Sequence, residues 1–119
     1  MYAIAFDLDT EALKNAYHND SYTNGYLDIR TVLGEFGFTP QQGSVYFGNN
    51  DVDAVQCVMA IMELTQRHKW FAAAVRDIRM LRIEDNNDLM PAVNRATGLS
   101  GGGAVKVDNN LKAATSERN

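Results

Sequence analysis

The stretch YAIAFDLDTEAL, residues 2–13, decides the fold that we expect for this 119-residue chain. Its first part, Tyr2–Phe6, is a short continuous apolar run with aromatic and β-branched residues, which predicts a buried β-strand. Two acids, Asp7 and Asp9, end this run, and Thr10 can cap the helix that EALKNAY predicts. The pair of acids poses the functional question, since Asp7 is either a phosphoryl-transfer nucleophile, another catalytic acid or only the end of a strand.

Composition and charge limit the class of protein. The chain is 45% hydrophobic and 22% charged, which is ordinary for a globular protein, and its length fits one domain with a modest core. The net charge is −4, but residues 1–93 carry seven Lys/Arg against thirteen Asp/Glu, a charge of −6. Because nucleic-acid binders usually show a basic footprint, any RNA recognition must use a local basic patch.

The sequence also bears on the cellular compartment. No apolar run approaches the ~20 residues that span a bilayer, and no basic segment precedes the first apolar run, as it does in a signal peptide. Cys57 is the only cysteine, which excludes an internal disulfide. We therefore expect a cytoplasmic protein without membrane contact.

The first strand is followed by a predicted helix and a predicted hairpin. Residues 26–36 place apolar side chains at helical spacing. The stretch FTPQQGSVYFG then predicts arms at residues 38–42 and 44–48 that turn near Gly43. Pro40 cannot donate to a ladder, so the first arm is expected at an edge of the sheet.

A second long helix and a last strand complete the pattern. The motif NND caps a helix predicted over about Val52 to Lys69, with an apolar stripe at Val55, Val58, Met59 and Met62. The last strand is predicted over Ile78–Glu84. The order β-α-β-β-α-β predicts an α+β, ferredoxin-like fold, an antiparallel sheet with helices on one face. We expect strands one and four at its centre.

Alternation along the strands predicts what the uncovered face of the sheet does. Ala3, Ala5 and Asp7 lie on that side of strand one, and Met80 of strand four is expected beside them. Small apolar side chains on an uncovered face indicate a contact surface. We therefore expect a two-fold dimer through this face, with Asp7 at the edge of a cleft between subunits.

Three further motifs, taken with MYAIAFDLD, make the sequence resemble a known family. These are GF, QGSVYFG and the run from WF to VRDIRMLRIEDNNDL. The four motifs and their spacing along the chain resemble the virulence-associated protein D (VapD) family over residues 1–93. The resemblance implies a ferredoxin-like homodimer and an endoribonuclease that cleaves single-stranded RNA, including mRNA. It further implies a toxin with a cognate antitoxin protein, and similarity to the small CRISPR-associated nuclease of adaptation.

The resemblance also implies three catalytic residues. The acid that ends strand one, the serine of QGS and the acid of DIR correspond to Asp7, Ser44 and Asp77. From the residue types alone, other roles stay open for each of them. Asp7 can simply end a strand, Ser44 can simply form a turn, and Asp77 can simply pair with an adjacent arginine.

Basic residues and a metal ion are the other expected parts of the site. Arg76, Arg79 and Arg82 form a regular basic run and are candidates to bind RNA phosphates, whereas residues 67–69 fit a solvated helix end. If the reaction needs a divalent metal such as Mg²⁺, Asp7 is the expected ligand. The alternative is a carboxylate that takes the proton of the 2′-hydroxyl.

Two other functions stay open. One is a non-catalytic ferredoxin-like dimer that binds RNA or a protein partner. The other is a small phosphatase with the D-x-D-G-T motif of the haloacid dehalogenases, but Thr10 and Glu11 occupy the places of its glycine and threonine, and the chain is short for that fold. Residues 94–119, which are rich in glycine and polar residues, lie beyond the resemblance and are expected to form a flexible tail.

Overall fold

The computed structural model describes residues 1–98 of the chain. Within them it has four strands and five helices. In chain order these are β1 Tyr2–Leu8, α1 Thr10–Ala16, α2 Asn24–Glu35, β2 Phe38–Pro40, β3 Val45–Gly48, α3 Ala54–Arg67, α4 Trp70–Ala74, β4 Val75–Arg82 and α5 Met90–Ala96.

The four strands form one antiparallel sheet in the order β2-β3-β1-β4. This order and the helices confirm the predicted α+β, ferredoxin-like fold. The expectation that strands one and four are central is half wrong, because β3 joins β1 at the centre and β4 ends the sheet. Pro40 lies in β2, the opposite edge strand, as its missing N–H predicts.

The hydrophobic core lies between one face of the sheet and the helices α1 to α4. Ile4, Phe6 and Leu8 supply the strand side of this core, and large side chains such as Leu33 and Phe71 supply the helix side. Among residues 1–98 no polar or charged residue is buried. The polar candidates for catalysis therefore all lie at the surface of the part that the structure describes.

The hairpin turns near Gly43, as predicted, although its paired arms are shorter than expected, at residues 38–40 and 45–48.

Gly37 ends α2 with a φ of +92°. A Cβ atom at that position would lie 2.7 Å from the Nδ2 atom of Asn49. The glycine is thus required both by the backbone conformation and by the close approach of a neighbour.

Helix α3 begins two residues later than predicted and turns its apolar stripe outward. Asp53 caps it, with its side chain accepting from the backbone N–H of Gln56, and the Gln56 side chain completes a capping box. The side chains that face the core are Cys57, Ala60 and Leu64. The predicted stripe is more than half exposed, with fractions of 64% for Val55, 55% for Val58, 52% for Met59 and 55% for Met62.

The register of β1 with β4 corrects one assignment to the uncovered face. Ala3 pairs with Leu81, and Ile4 pairs with Met80. Directly paired residues point to the same face of a sheet, so Met80 lies on the helix side and Leu81 lies beside Ala3. The alternation along β4 shows which of its side chains share a side of the strand. It does not show which of those two sides faces the same way as Ala3 of β1, and for this reason the prediction for Met80 was wrong.

Residues from Asp85 onward form a second unit, of which the structure describes residues up to 98. Its helix α5 carries a proline in the first turn and has no buried residue. The predicted tail therefore begins inside a helix, and its residues 99–119 lie outside the described residues. Among residues 1–98 no helix is long and apolar enough to cross a bilayer.

Candidate active site

Asp7 and Asp77 stand directly opposite each other at one end of the sheet. Asp7 is the penultimate residue of β1, and the register of the two strands pairs it with Asp77 of β4. Both lie on the outer face, which we define as the sheet face that α1 to α4 do not cover. Like charges in directly opposed positions repel, so this placement needs cations close by.

A β-bulge places the first of these cations. Asp7 pairs with Asp77 and Leu8 pairs with Val75, which leaves Arg76 as an extra residue on β4. Bulges redirect side chains at strand ends. One guanidinium nitrogen of Arg76 lies 3.6 Å from Oδ2 of Asp7, and another lies 3.5 Å from Oδ2 of the next acid, Asp9.

Arg79 supplies the second cation. Its Nε atom donates to both carboxylate oxygens of Asp77 at 3.1 Å. Both ion pairs are well exposed to solvent, with 60% of the Asp7 side chain and 71% of the Arg79 side chain accessible. Exposed pairs of this kind contribute little to stability, so the arginines can exchange a carboxylate for another anion at low cost.

Asp9, the second acid of the DLD motif, has a structural role. It is the N-cap of α1 and accepts from the backbone N–H of Ala12 at 3.1 Å, while its own N–H donates to the carbonyl oxygen of Ala74 at 2.9 Å. The Ala12 hydrogen bond and the nearby Arg76 charge hold the pKa of Asp9 below its usual range. Thr10, the predicted cap, is the first helical residue instead.

This capping role weakens the phosphatase interpretation. In that mechanism the second acid of D-x-D must be available to substrate, whereas the carboxylate of Asp9 is held by the first turn of α1 and by Arg76. The motif is therefore a strand end followed by a helix cap. Of the two acids of the motif, only Asp7 lies in the strand with its carboxylate on the outer face.

Ser44 is held next to this site through the main chain. Its carbonyl oxygen accepts from the backbone N–H of Phe6 at 3.1 Å. Phe6 is the residue before Asp7, and Ser44 is the residue before β3 begins. The three predicted catalytic residues thus belong to three adjacent strand ends. The structure brings Asp7 and Asp77 face to face and places the Ser44 backbone at their border.

Arg82, a predicted phosphate ligand, is not brought to this end of the sheet. It pairs with Tyr2 at the start of β1, and its guanidinium lies 3.3 Å from Glu84. It lies six positions along the strand from Arg76, a distance of about 20 Å. Arg76 and Arg79 are therefore the members of the basic run that adjoin the acids.

The basic end of α3 is occupied by ion pairs rather than offered to a ligand. Arg67 donates to both carboxylate oxygens of Glu35 and also to Glu63, and these bonds raise its pKa above the usual range. Nδ1 of His68 lies 3.9 Å from Asp28. This agrees with the expected solvated helix end.

The donors at the site fit a divalent metal ion only in part. Among residues 1–98 no group of three or more His, Cys, Asp or Glu side chains is placed to hold a metal. Mg²⁺ is often held by only one or two carboxylates, with water and substrate phosphates filling the other positions. Asp7 and Asp77 fit that weaker pattern, in competition with Arg76 and Arg79.

The role of Arg76 between two acids was missed at the sequence level. The sequence shows an arginine beside Asp77, but the contact with Asp7 and Asp9 depends on the bulge, for which the sequence carries no clear signal. The site places two carboxylates beside two guanidinium groups. The carboxylates can take or give a proton, and the guanidinium groups match the geometry of a phosphate. This combination suits cleavage of a phosphodiester.

Comparison with known proteins gives close relatives. The chain is 49% identical over 94 residues to a Riemerella anatipestifer protein named Endoribonuclease VapD 2, with 79% of this chain and 100% of the relative covered. It is 50% identical over 93 residues to a Helicobacter pylori protein named Endoribonuclease VapD homolog, covering 78% and 96%. It is 42% identical over 96 residues to the Endoribonuclease VapD of Dichelobacter nodosus, covering 81% and 100%. No family model matches the chain.

Proposed function

The chain belongs to the VapD family and is an endoribonuclease, and we propose that it cleaves single-stranded RNA as the homodimeric toxin of a toxin–antitoxin pair. It acts in the cytoplasm, where a cognate antitoxin protein restrains it. The observation that carries the catalytic part is the opposed pair Asp7 and Asp77, each with an arginine beside it on an exposed face. Such a surface can receive a flexible strand of RNA.

In the proposed reaction Asp7 acts as the general base. It takes the proton of a 2′-hydroxyl, the 2′-oxygen forms a bond to the adjacent phosphorus, and the bond from phosphorus to the 5′-oxygen breaks. Water gives the leaving 5′-oxygen its proton, so the products carry a 2′,3′-cyclic phosphate and a 5′-hydroxyl. Arg76 releases its carboxylates, Arg79 stays oriented by Asp77, and the two guanidinium groups hold the phosphate charge that grows in the transition state. Ser44 donates to a phosphate oxygen.

In the alternative route, Asp7 and Asp77 would hold Mg²⁺, and the ion would supply an activated water. The arginines bear on this choice, because each of the two acids already has a guanidinium group beside it, although Arg76 is shared with Asp9. Repulsion between the two carboxylates therefore does not require a metal ion. For this reason we favour attack by the 2′-hydroxyl.

The product ends and a chelator separate the two routes. We expect cleavage to continue in excess EDTA and to leave 2′,3′-cyclic phosphates, which mass spectrometry of the fragments identifies. Cleavage that stops with EDTA, returns with added Mg²⁺ and leaves no cyclic phosphate would replace the proposed route with the metal route.

The central test compares Asp7→Asn with the wild type on single-stranded RNA. Loss of the general base should lower the cleavage rate by about 10²-fold or more, and single-stranded DNA of the same sequence should stay intact. Asp20→Asn is the matched control, because it makes the same change in an exposed loop. Thermal unfolding checks that both variants are folded.

Two outcomes would change the conclusion. An Asp7→Asn protein that is folded and cleaves RNA at the wild-type rate would remove Asp7 from the mechanism and indicate a contaminating nuclease. A pure wild-type protein that binds RNA without cleaving it would support the non-catalytic dimer instead.

A further inference from the structure

A cleft with basic walls lies outside the candidate active site, where α1 ends and α4 begins. Its volume is about 340 Å³, and it is lined by Ala16, His18, Arg67, His68, Lys69 and Trp70. Pockets that hold small ligands begin at about 300 Å³, so this cleft has room for one nucleotide of an RNA strand. Four of the six lining residues have basic side chains, although residues 1–93 carry a net −6.

Lys69 differs from the other cations of the cleft because no acid holds it. Arg67 and His68 lie beside acids of α2 and α3, so the negative charges next to the cleft already have partners. Among residues 1–98 no ion pair or hydrogen bond involves the side chain of Lys69, which is exposed. A phosphate can therefore reach Lys69 without displacing a carboxylate, as it must do at Arg76.

His18 supplies an aromatic ring that is held in place. Its ring centroid lies 4.2 Å from that of Tyr17, and the two ring planes differ by 29°. Tyr17 is buried, and its hydroxyl donates to Asp28 at 2.9 Å, so it forms a fixed support for the stack. Because His18 is exposed, the ring face turned away from Tyr17 meets solvent. Unpaired RNA bases stack on exposed aromatic rings of this kind.

Helix α4 connects the cleft to the candidate active site. Lys69 precedes the first residue of α4, and at the other end the carbonyl oxygen of Ala74 accepts from the backbone N–H of Asp9 at 2.9 Å. Arg76 follows two residues later and contacts Asp7. Lys69 and Arg76 are thus separated by about 15 Å, the length of the short helix and two strand residues. A single strand of a few nucleotides can span this distance.

The surface of α4 does not obstruct such a strand. Its exposed residues, Ala72 and Ala73, are small and uncharged. They neither repel phosphates nor keep a strand away from the helix. An RNA strand that occupies the cleft can therefore continue along α4 to the acids and arginines at the end of the sheet.

We propose that the cleft is a subsite for the substrate RNA, in which a base stacks on His18 and a neighbouring phosphate binds Lys69. The inference rests on the proposed function and deepens it, since it adds a second place at which the same strand is held. The two places do different work. The cleft supplies affinity, because its lysine is free, and the active site supplies the reaction.

Trp70 reports on the cleft directly. It is the only tryptophan of the chain and lines the cleft, so a base bound there should change its fluorescence. The probe is a single-stranded RNA with 2′-O-methyl groups, which the 2′-oxygen route cannot cleave. We expect the Trp70 emission to change with the same midpoint as the fluorescence anisotropy of the labelled RNA. An RNA that binds only at the far end of α4 should leave the emission unchanged.

Lys69→Ala tests the phosphate contact. The affinity for RNA should fall about threefold or more at physiological salt, and the slope of log K against log salt should fall by about 0.7. In cleavage assays the variant should raise KM and leave kcat close to the wild type. Arg30→Ala is the matched control, because it removes an exposed cation of α2 that does not line the cleft, and it should bind RNA like the wild type.

His18→Ala tests the stacking contact. Loss of the ring should lower the affinity for RNA by about fivefold or more. His18→Phe keeps an aromatic ring at the same position and should recover most of this loss. An affinity that stays low in His18→Phe would overturn the stacking role of His18.

The readouts separate this inference from the proposed catalysis, because binding of the methylated RNA does not require cleavage. Asp7→Asn should still show the change in Trp70 emission, even though it no longer cleaves RNA. The subsite would be overturned by an emission that stays constant while anisotropy shows binding, or by wild-type affinity in both Lys69→Ala and His18→Ala. An equal loss of affinity in Arg30→Ala would assign the effect to overall charge and would also overturn it. Circular dichroism confirms that each variant is folded.

Discussion

Asp7 and Asp9 show how neighbours give one residue type two roles. They are separated by a single residue, and a regular strand would place both on the same face. The chain leaves the strand between them, so Asp7 stays on the outer face opposite Asp77 while Asp9 turns into the first turn of α1. The sequence motif alone suggests two equivalent acids, and only the start of the helix distinguishes the reactive candidate from the cap.

The capping role of Asp9 predicts how stability changes with pH. Because its pKa is lower in the folded protein than in the unfolded chain, the ionised carboxylate stabilises the fold above about pH 4. That stabilisation is lost as the pH falls through the lower, folded-state pKa. Asp9→Asn keeps the capping oxygen but not the charge, whereas Asp9→Ala loses both.

Melting temperatures measured from pH 7 down to pH 3 test this prediction. Asp9→Asn should melt close to the wild type at pH 7 and should lose less stability than the wild type on acidification. Asp9→Ala should melt lower than both at neutral pH. Identical pH profiles for the wild type and Asp9→Asn would show that the charge of Asp9 does not stabilise the fold.

At the scale of the element, α3 shows that local patterns predict a helix better than they predict its buried face. The apolar stripe was read correctly from the sequence, but smaller side chains at Cys57 and Ala60 face the sheet and let the helix approach it. Gly37 and Pro40, in contrast, act through their own backbones, Gly37 by its positive φ and Pro40 by its missing N–H. Their effects on a helix end and an edge strand could therefore be predicted without knowing the neighbours.

The capping box of α3 gives a prediction for this element. Asp53→Ala removes the acceptor for the Gln56 N–H, which lies 2.8 Å away, and should lower the free energy of unfolding by about 1 kcal/mol. Denaturant unfolding measures the change. Asp51→Ala removes the same charge two residues earlier and should have a smaller effect, and equal losses for the two variants would assign the effect to charge rather than to the cap.

For the whole molecule, the order of elements could be predicted and their lateral arrangement could not. Alternation and turn signals give β-α-β-β-α-β, but the central place of β3 and the side on which Met80 lies depend on pairings between distant residues. The residues of the site also divide into those that the sequence predicts and those that depend on distant pairings. Asp7 stands out as a strand-end acid, Ser44 and Asp77 came from the family resemblance, and the contacts of Arg76 depend on a bulge.

The charge of the whole molecule limits how RNA can bind. Residues 1–93 carry a net −6, and four of their seven Lys/Arg side chains form ion pairs with the chain's own acids, namely Arg67, Arg76, Arg79 and Arg82. At the candidate site, an RNA phosphate must therefore displace a carboxylate before it gains a guanidinium. Affinity should be modest, and it should rise when one of the competing acids is removed.

This competition predicts that the inactive variant Asp7→Asn binds RNA more tightly than the wild type. The change leaves Arg76 with Asp9 as its remaining acidic partner among those seen in the structure, so the guanidinium can contact a phosphate at lower cost. A single-stranded RNA with 2′-O-methyl groups, which block attack by the 2′-oxygen, allows fluorescence anisotropy of both proteins. One added phosphate contact should steepen the dependence of log K on log salt by about 0.7. Adding Arg76→Gln to Asp7→Asn should cancel the gain in affinity. Asp20→Asn controls for the general loss of negative charge. A gain of equal size in Asp20→Asn, or a gain that persists in the double variant with Arg76→Gln, would show that Arg76 does not hold the RNA.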